Sequence, residues 1–138
     1  MDPMVLQSLA RDIADLTLEH LQLVLISATL ATVMGVSIGI LATRHPNIRR
    51  ISLTVANIFQ TIPSLALFGF LIPIPFIGGI GKRTAILSLI LYALLPVLRN
   101  TVTGIAGVEP ATRESAIAMG MTSRQLLWYV ELPLAAPT

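Results

Sequence analysis

The feature that most constrains this chain is an uncharged, almost wholly apolar run over roughly residues 21–42. About 20 such residues match the hydrocarbon thickness of a bilayer, and a helix satisfies its own backbone hydrogen bonds there. Composition agrees, because 54% of the residues are hydrophobic and 12% are charged, against about 25% charged in soluble domains. The sequence therefore excludes a water-soluble domain and predicts a location in the cell membrane.

Two further apolar runs follow, roughly over residues 51–72 and 84–105. A polar turn over residues 44–50 separates the first two runs, and a loop rich in Pro and Gly over residues 73–83 separates the second and third. The sequence thus predicts an all-α, multi-pass transmembrane helix bundle of about three spans. Three arginines in the turn 44–50 favour its cytoplasmic location, which places residues 73–83 and the N-terminus outside.

The first span follows an amphipathic segment and carries a stripe of small residues. Residues 5–19 have an amphipathic pattern, which defines an N-terminal segment, 1–19, ahead of a membrane domain, 20–138. That segment either lies on the membrane interface or leads directly into the span. Within the span, Ala31, Gly35 and Gly39 repeat every four residues, and this small-residue stripe predicts close approach of another helix.

Residues 107–133 form the one substantial non-membrane stretch, and their pattern predicts two short helices joined by a glycine turn. Pro110 suits the first turn of a helix, and Gly120 is expected to end that helix in the left-handed conformation. Thr122 and Gln125 have the spacing of a capping box at the start of the second helix. Pro133 is expected to close that second helix.

The same stretch carries a motif at long, fixed spacing. A Glu-Ser-Ala triplet is followed after three residues by Gly, and after nine more by Val, one residue and Leu-Pro. This resembles the signature loop of ABC importer permeases, with Ser replacing Ala and Val replacing Ile at two positions. The resemblance implies that the loop is a coupling helix pair, which docks on the ATPase and transmits its closure to the spans. The residues concerned are Glu114, Ser115, Ala116, Gly120, Val130, Leu132 and Pro133.

Residues 60–67 and 91–101 are similar to the osmoprotectant branch of these permeases, which imports glycine betaine, choline or carnitine. The resemblance covers roughly residues 19–138 and implies a separate ABC ATPase, an extracytoplasmic solute-binding protein, a second permease copy and surrounding lipid. Such permeases continue with further spans, so we expect an incomplete permease domain. A non-transporting membrane protein that retains the fold, and a permease for another small solute, are the alternatives.

Polar residues within the spans form two stripes. Those of the second span, at i, i+3, i+4 and i+7, are expected on one helix face, and the third span has a similar set. Polar groups in a bilayer face protein or a water-filled path, so the stripes either line the translocation pathway or form interhelical hydrogen bonds. Arg99 can also reach the interface by snorkelling. The candidate pathway residues are Asn57, Gln60, Thr61, Ser64, Tyr92 and Arg99.

The sequence favours neither an enzyme nor a cofactor-binding protein. The stretch Gly78–Thr84 superficially resembles a phosphate-binding loop, but Phe76 and Arg83 occupy positions that need Gly and Ser or Thr. ATP hydrolysis is therefore expected on a separate subunit. The chain has no Cys and two distant histidines, which gives no metal site, no catalytic residues and no cofactor. Its net charge of +2 gives no nucleic-acid footprint.

Overall fold

The computed structural model describes residues 3–136, which form a helical bundle without a strand among them. Helices α1 and α4 are long and apolar enough to cross a membrane, and α2 with α3 makes a third candidate span if the bent pair is counted as one. The predicted all-α, multi-pass bundle is confirmed. The elements are α1 Pro3–Arg44, α2 Pro46–Thr61, α3 Ser64–Leu71, α4 Lys82–Ala106, α5 Pro110–Ala118, α6 Ser123–Leu126, a π-helical turn Leu127–Glu131, and α7 Leu132–Ala135.

Helix α1 joins the predicted N-terminal helix and the first predicted span into one uninterrupted element. Its 42 residues extend about 63 Å at 1.5 Å per residue, roughly twice the hydrocarbon thickness of a bilayer. Leu9, Ile13 and Leu16 are exposed along its first part. The division of the chain at residue 19 stays a prediction, and residues 1, 2, 137 and 138 of the predicted segments lie outside the described residues.

The second predicted span, 51–72, is not a single helix. It is divided into α2 and α3, whose axes differ in direction by 98°. Pro63 lacks an N–H and disfavours the α conformation at the residue before it, and Ile62 accordingly has φ −84° and ψ 125°. Ser64 therefore begins a new helix. The expectation of one polar face shared by Asn57, Gln60, Thr61 and Ser64 is wrong for Ser64.

Close packing of α1 against α4 forms the centre of the bundle. Ala31, Gly35 and Gly39 are buried in this interface. A Cβ added at Gly35 would lie 2.7 Å from Val97 Cγ1, and one at Gly39 would lie 2.6 Å from Thr101 Cβ. The predicted close approach of another helix at this stripe is confirmed. Helix α2 packs on the same pair through an apolar cluster that contains Ala42, Ala56, Leu95, Leu98 and Val102.

Ion pairs mark the two ends of the bundle. Lys82 Nζ lies 2.9 Å from Glu19 Oε1, and Arg44 Nη2 lies 2.5 Å from Glu131 Oε2. The 25 residues from Glu19 to Arg44 (44 − 19) extend about 38 Å along α1, enough to cross a bilayer. Residues 44–50 and 107–133 therefore lie at one end, and residues 73–83 lie at the other. The assignment of the first end to the cytoplasm stays a prediction.

Replacing Gly39 with Ala should destabilise the α1–α4 packing, because the β-branched Thr101 cannot move its Cβ away by a rotamer change. We expect a loss of about 1–3 kcal/mol in the free energy of unfolding, as for other overpacked interiors. The matched control is Gly69→Ala in α3, where an added Cβ meets no atom within 4 Å. Unfolding in detergent measures both variants, and equal stability of the two would contradict the close-packing account.

Candidate functional site

Helix α5 ends in a Schellman motif built around Gly120. The Gly120 N–H donates to the Ile117 carbonyl at 2.9 Å, and the Met121 N–H donates to the Ala116 carbonyl at 3.2 Å. Gly120 has φ 83°, so the predicted left-handed conformation is confirmed. An added Cβ would meet no atom within 4 Å. The backbone conformation, rather than lack of space, therefore demands glycine here.

The two helices of this loop begin in different ways. Pro110 occupies the first turn of α5, where its missing N–H leaves no intrahelical bond unmade. At the start of α6, the Thr122 N–H donates to Gln125 Oε1 at 2.8 Å, and the Gln125 N–H donates to Thr122 Oγ1 at 3.4 Å. The predicted capping box is confirmed. Residues 110–126 thus form two short helices with a defined turn between them.

The residues around this turn divide into an exposed tip and a buried base. Glu114, Ser115 and Gly120 are exposed, whereas Ala116 is buried. Two large apolar side chains, Ile117 and Met119, are 58% and 71% exposed beside them. We call the exposed set the turn surface: Glu114, Ser115, Ile117, Met119 and Gly120. It combines a carboxylate with two large, exposed apolar side chains.

The second helix of the loop does not close at Pro133, contrary to expectation. A π-helical turn over Leu127–Glu131 precedes it, and the Leu132 N–H donates to the Leu127 carbonyl, five residues back. Pro133 then lies in the first turn of α7, where its missing N–H is tolerated. Such π-helical turns are rare, and they occur mostly as single turns within helices, frequently at functional sites. Along this part of the loop, Leu126 is buried, Leu127 and Val130 are half-buried, and Leu134 is exposed.

Glu131 is the residue that the motif analysis missed. Its side chain is 1% exposed, and its carboxylate contacts Arg44 at 2.5 Å and Arg113 Nε at 3.3 Å. Glu131 occupies the single unspecified position between Val130 and Leu132 of the motif, so the pattern assigns it no role. The available signal is its position four residues after Leu127, on an otherwise apolar helix face. A charged residue that is buried in this way requires partners.

The candidate pathway residues do not form one cluster. Gln60 Nε2 donates to the Tyr92 carbonyl at 3.2 Å and so joins α2 to α4. The Thr61 hydroxyl donates to the Ile58 carbonyl of its own helix. Asn57 and Arg99 are exposed. Gln60 therefore fits interhelical packing, whereas Asn57 is an exposed polar residue on a membrane helix.

The other two candidate pathway residues, and two further polar residues of α4, lie in different surroundings. Ser64 is exposed beyond the bend, and Tyr92 is 37% exposed. Ser88 is buried and donates to the Thr84 carbonyl, while the Thr103 hydroxyl donates to the Arg99 carbonyl. The described residues contain no group of three His, Cys, Asp or Glu side chains arranged to hold a metal ion.

Comparison with known proteins identifies the family of this chain. Residues 10–138 match the model of the binding-protein-dependent transport system inner membrane component. The chain belongs to this family. Its resemblance to ABC importer permeases and its inner-membrane location are thereby confirmed.

Individual relatives agree with the family match. The chain is 43% identical over 127 residues to the osmoprotectant import permease protein OsmW of Salmonella typhimurium, covering 91% of this chain and 59% of that protein. It is 43% identical over 121 residues to the choline transport system permease protein OpuBB of Bacillus subtilis, covering 88% and 54%. It is also 43% identical over 117 residues to the carnitine transport permease protein OpuCB of Listeria monocytogenes, covering 85% and 52%. The chain thus spans about half the length of these relatives.

Replacing Gln60 with Leu should weaken the α2–α4 contact, because the donor to the Tyr92 carbonyl is lost. Interhelical hydrogen bonds in membranes contribute about 0.6 kcal/mol on average, and we expect a loss of that size. Asn57→Leu is the matched control on the same helix, and it should leave stability unchanged. Unfolding of both variants in lipid-mimicking detergent gives the comparison, and an equal loss in both would assign no special packing role to Gln60.

Proposed function

We propose that this chain is a membrane-spanning permease subunit of an ATP-driven, binding-protein-dependent importer. The observation that carries the proposal is the left-handed Gly120 turn, which joins two capped helices within the family's signature motif. A separate ABC ATPase would dock on the turn surface from the cytoplasm. A solute-binding protein would deliver the solute at the opposite end of the bundle, near residues 73–83.

The seven motif residues divide between contact and support. Exposed Glu114, Ser115 and Gly120 would meet the ATPase, together with the neighbouring apolar side chains of the turn surface. A carboxylate flanked by exposed apolar side chains suits a protein groove that has an apolar floor and a basic rim. The other motif residues would hold the helix pair against the spans, since Ala116 is buried and Val130 and Leu132 are half-buried. Pro133 follows the π-helical turn and would support the start of α7.

The solute class we propose is the quaternary ammonium osmoprotectants, such as glycine betaine, choline or carnitine. The relatives at 43% identity carry names that specify osmoprotectants, choline and carnitine. Because these names differ at equal identity, the proposal stays at the level of the class. ATP hydrolysis is assigned to the separate ATPase, and this chain would contribute no catalytic residue.

The pathway and the second permease copy belong to the same proposal. Asn57, Thr61 and Ser64 are exposed polar residues on the bent α2–α3 pair, and polar residues in a bilayer face protein or a water-filled path. A second copy facing this pair would enclose a polar path between the two subunits. Tyr92 and Arg99 on α4 would border the path, and Gln60 would support it through its bond to α4.

Replacing Gly120 with Val should abolish coupled transport, because a β-branched residue opposes φ 83° and distorts the angle between the two loop helices. The matched control is Gly69→Val in α3, where the backbone is helical and an added Cβ meets no atom within 4 Å. We expect the Gly120 variant to reach the membrane but to lose glycine betaine uptake and ATPase co-purification. The control should retain both.

Normal uptake and normal ATPase recovery in Gly120→Val would reduce the loop to a connector between helices. Glu114→Lys gives an independent comparison, because it reverses the charge of the turn surface without changing the turn. Glu109→Lys, at an exposed position of the same loop, is its control. Selective loss of ATPase recovery in the Glu114 variant would support docking at this surface.

A further inference from the structure

A buried carboxylate joins the coupling loop to the membrane helices. Glu131 is fully buried, and each of its two carboxylate oxygens contacts an arginine from a different element. Arg44 is the last residue of α1, and Arg113 lies within α5. Arg113 also donates from Nη2 to the carbonyl of Ile105, near the end of α4. One side chain thus brings together both helices of the loop and, through its partners, the ends of two spans.

The two contacts of Glu131 differ in kind. Arg44 Nη2 donates to Oε2 in a short, charge-assisted hydrogen bond. The Arg113 contact is an ion pair without hydrogen-bond geometry. Both arginines are partly exposed, with 41% of the Arg44 side chain and 30% of the Arg113 side chain accessible. The carboxylate is therefore tied most directly to α1, while Arg113 holds the first loop helix to it and to α4.

Within this cluster only the carboxylate is fully buried, and it lies between two partly exposed arginines. A buried ion pair adds little net stability compared with apolar packing, but a buried carboxylate stays charged only while an arginine remains beside it. The arrangement therefore favours one placement of the loop relative to the spans over neighbouring placements. A helix pair held only by apolar contacts could slide with less penalty. This selectivity suits a joint that must transmit a displacement.

We infer that Glu131 is a positioning residue for coupling, which fixes the loop helices to α1 and α4 so that movement of the loop moves the spans. The inference rests on the proposed function, because it assumes that an ATPase displaces the turn surface. Glu131 lies on the inner side of the loop, away from that surface. Its loss should therefore leave docking intact and break transmission.

The first test uses the full-length protein reconstituted in proteoliposomes with its ATPase and solute-binding protein. Glu131→Gln keeps the shape of the side chain and removes its charge. We expect normal ATPase recovery and continued ATP hydrolysis, but a fall in glycine betaine uptake of about tenfold, within the usual range of coupling between sites. The number of ATP molecules hydrolysed per imported solute should rise in proportion. Glu109→Gln, an exposed carboxylate in the same loop, should leave this ratio unchanged.

A second variant keeps the test decisive if Glu131→Gln fails to accumulate. Arg44→Gln removes the bond to α1 but leaves Glu131 beside Arg113, and it should raise the same ratio. Arg50→Gln, an exposed arginine of the neighbouring turn, is its control. A purely structural role for Glu131 predicts that ATPase recovery, hydrolysis and uptake fall together, with the ratio unchanged. That outcome would overturn the inference.

A distance measurement separates this inference from the proposed function. The chain has no cysteine, so cysteines at exposed Asn47 and Ala111 can carry spin labels without a competing background. We expect a narrow distance distribution in the parent protein and a broad one in Glu131→Gln. An unchanged distribution would overturn the positioning role. Absence of ATP-dependent uptake by the parent protein would instead overturn the proposed function, while the distances would still decide what Glu131 holds.

Discussion

The close approach of α1 and α4 at Gly35 and Gly39 is the contact on which the remaining structure depends. In a bilayer, apolar side chains gain no hydrophobic free energy by moving from the lipid tails to a helix interface. Membrane helices therefore associate through tight packing and a few interhelical hydrogen bonds. Thr101 and Val97 fill the space that the two glycines leave. This packing aligns the last turns of the two spans. Because those ends are adjacent, one loop can reach both of them through side chains.

The loop uses that alignment in two ways. Its outer side carries the turn surface, whose geometry follows from a left-handed glycine and a capping box. Its inner side carries Glu131, which contacts Arg44 directly and is linked through Arg113 to the end of α4. The outer side suits a partner that binds reversibly, because its side chains are exposed. The inner side suits a fixed connection, because moving an arginine away from the buried Glu131 carboxylate would cost free energy.

The amino-acid pattern predicts those features that neighbouring residues determine. The Gly120 turn and the Thr122–Gln125 box depend on bonds within a few positions, and the glycine stripe depends only on helical periodicity. Hydropathy finds the second span but not its bend, because apolar length is insensitive to the missing N–H of Pro63. The role of Glu131 cannot be predicted from the pattern for a different reason, because its partner Arg44 lies 87 positions away. Only the folded bundle brings that pair together.

Docking of the turn surface on an ATPase is tested most directly by photo-crosslinking. A photoreactive phenylalanine analogue would replace Met119, which is 71% exposed at the tip of the loop, in membrane vesicles that contain the ATPase. Ile80, which is 91% exposed at the opposite end of the bundle, is the control position. We expect an adduct with the ATPase from position 119 and none from position 80. No ATPase adduct from position 119, or equal adducts from both positions, would contradict it.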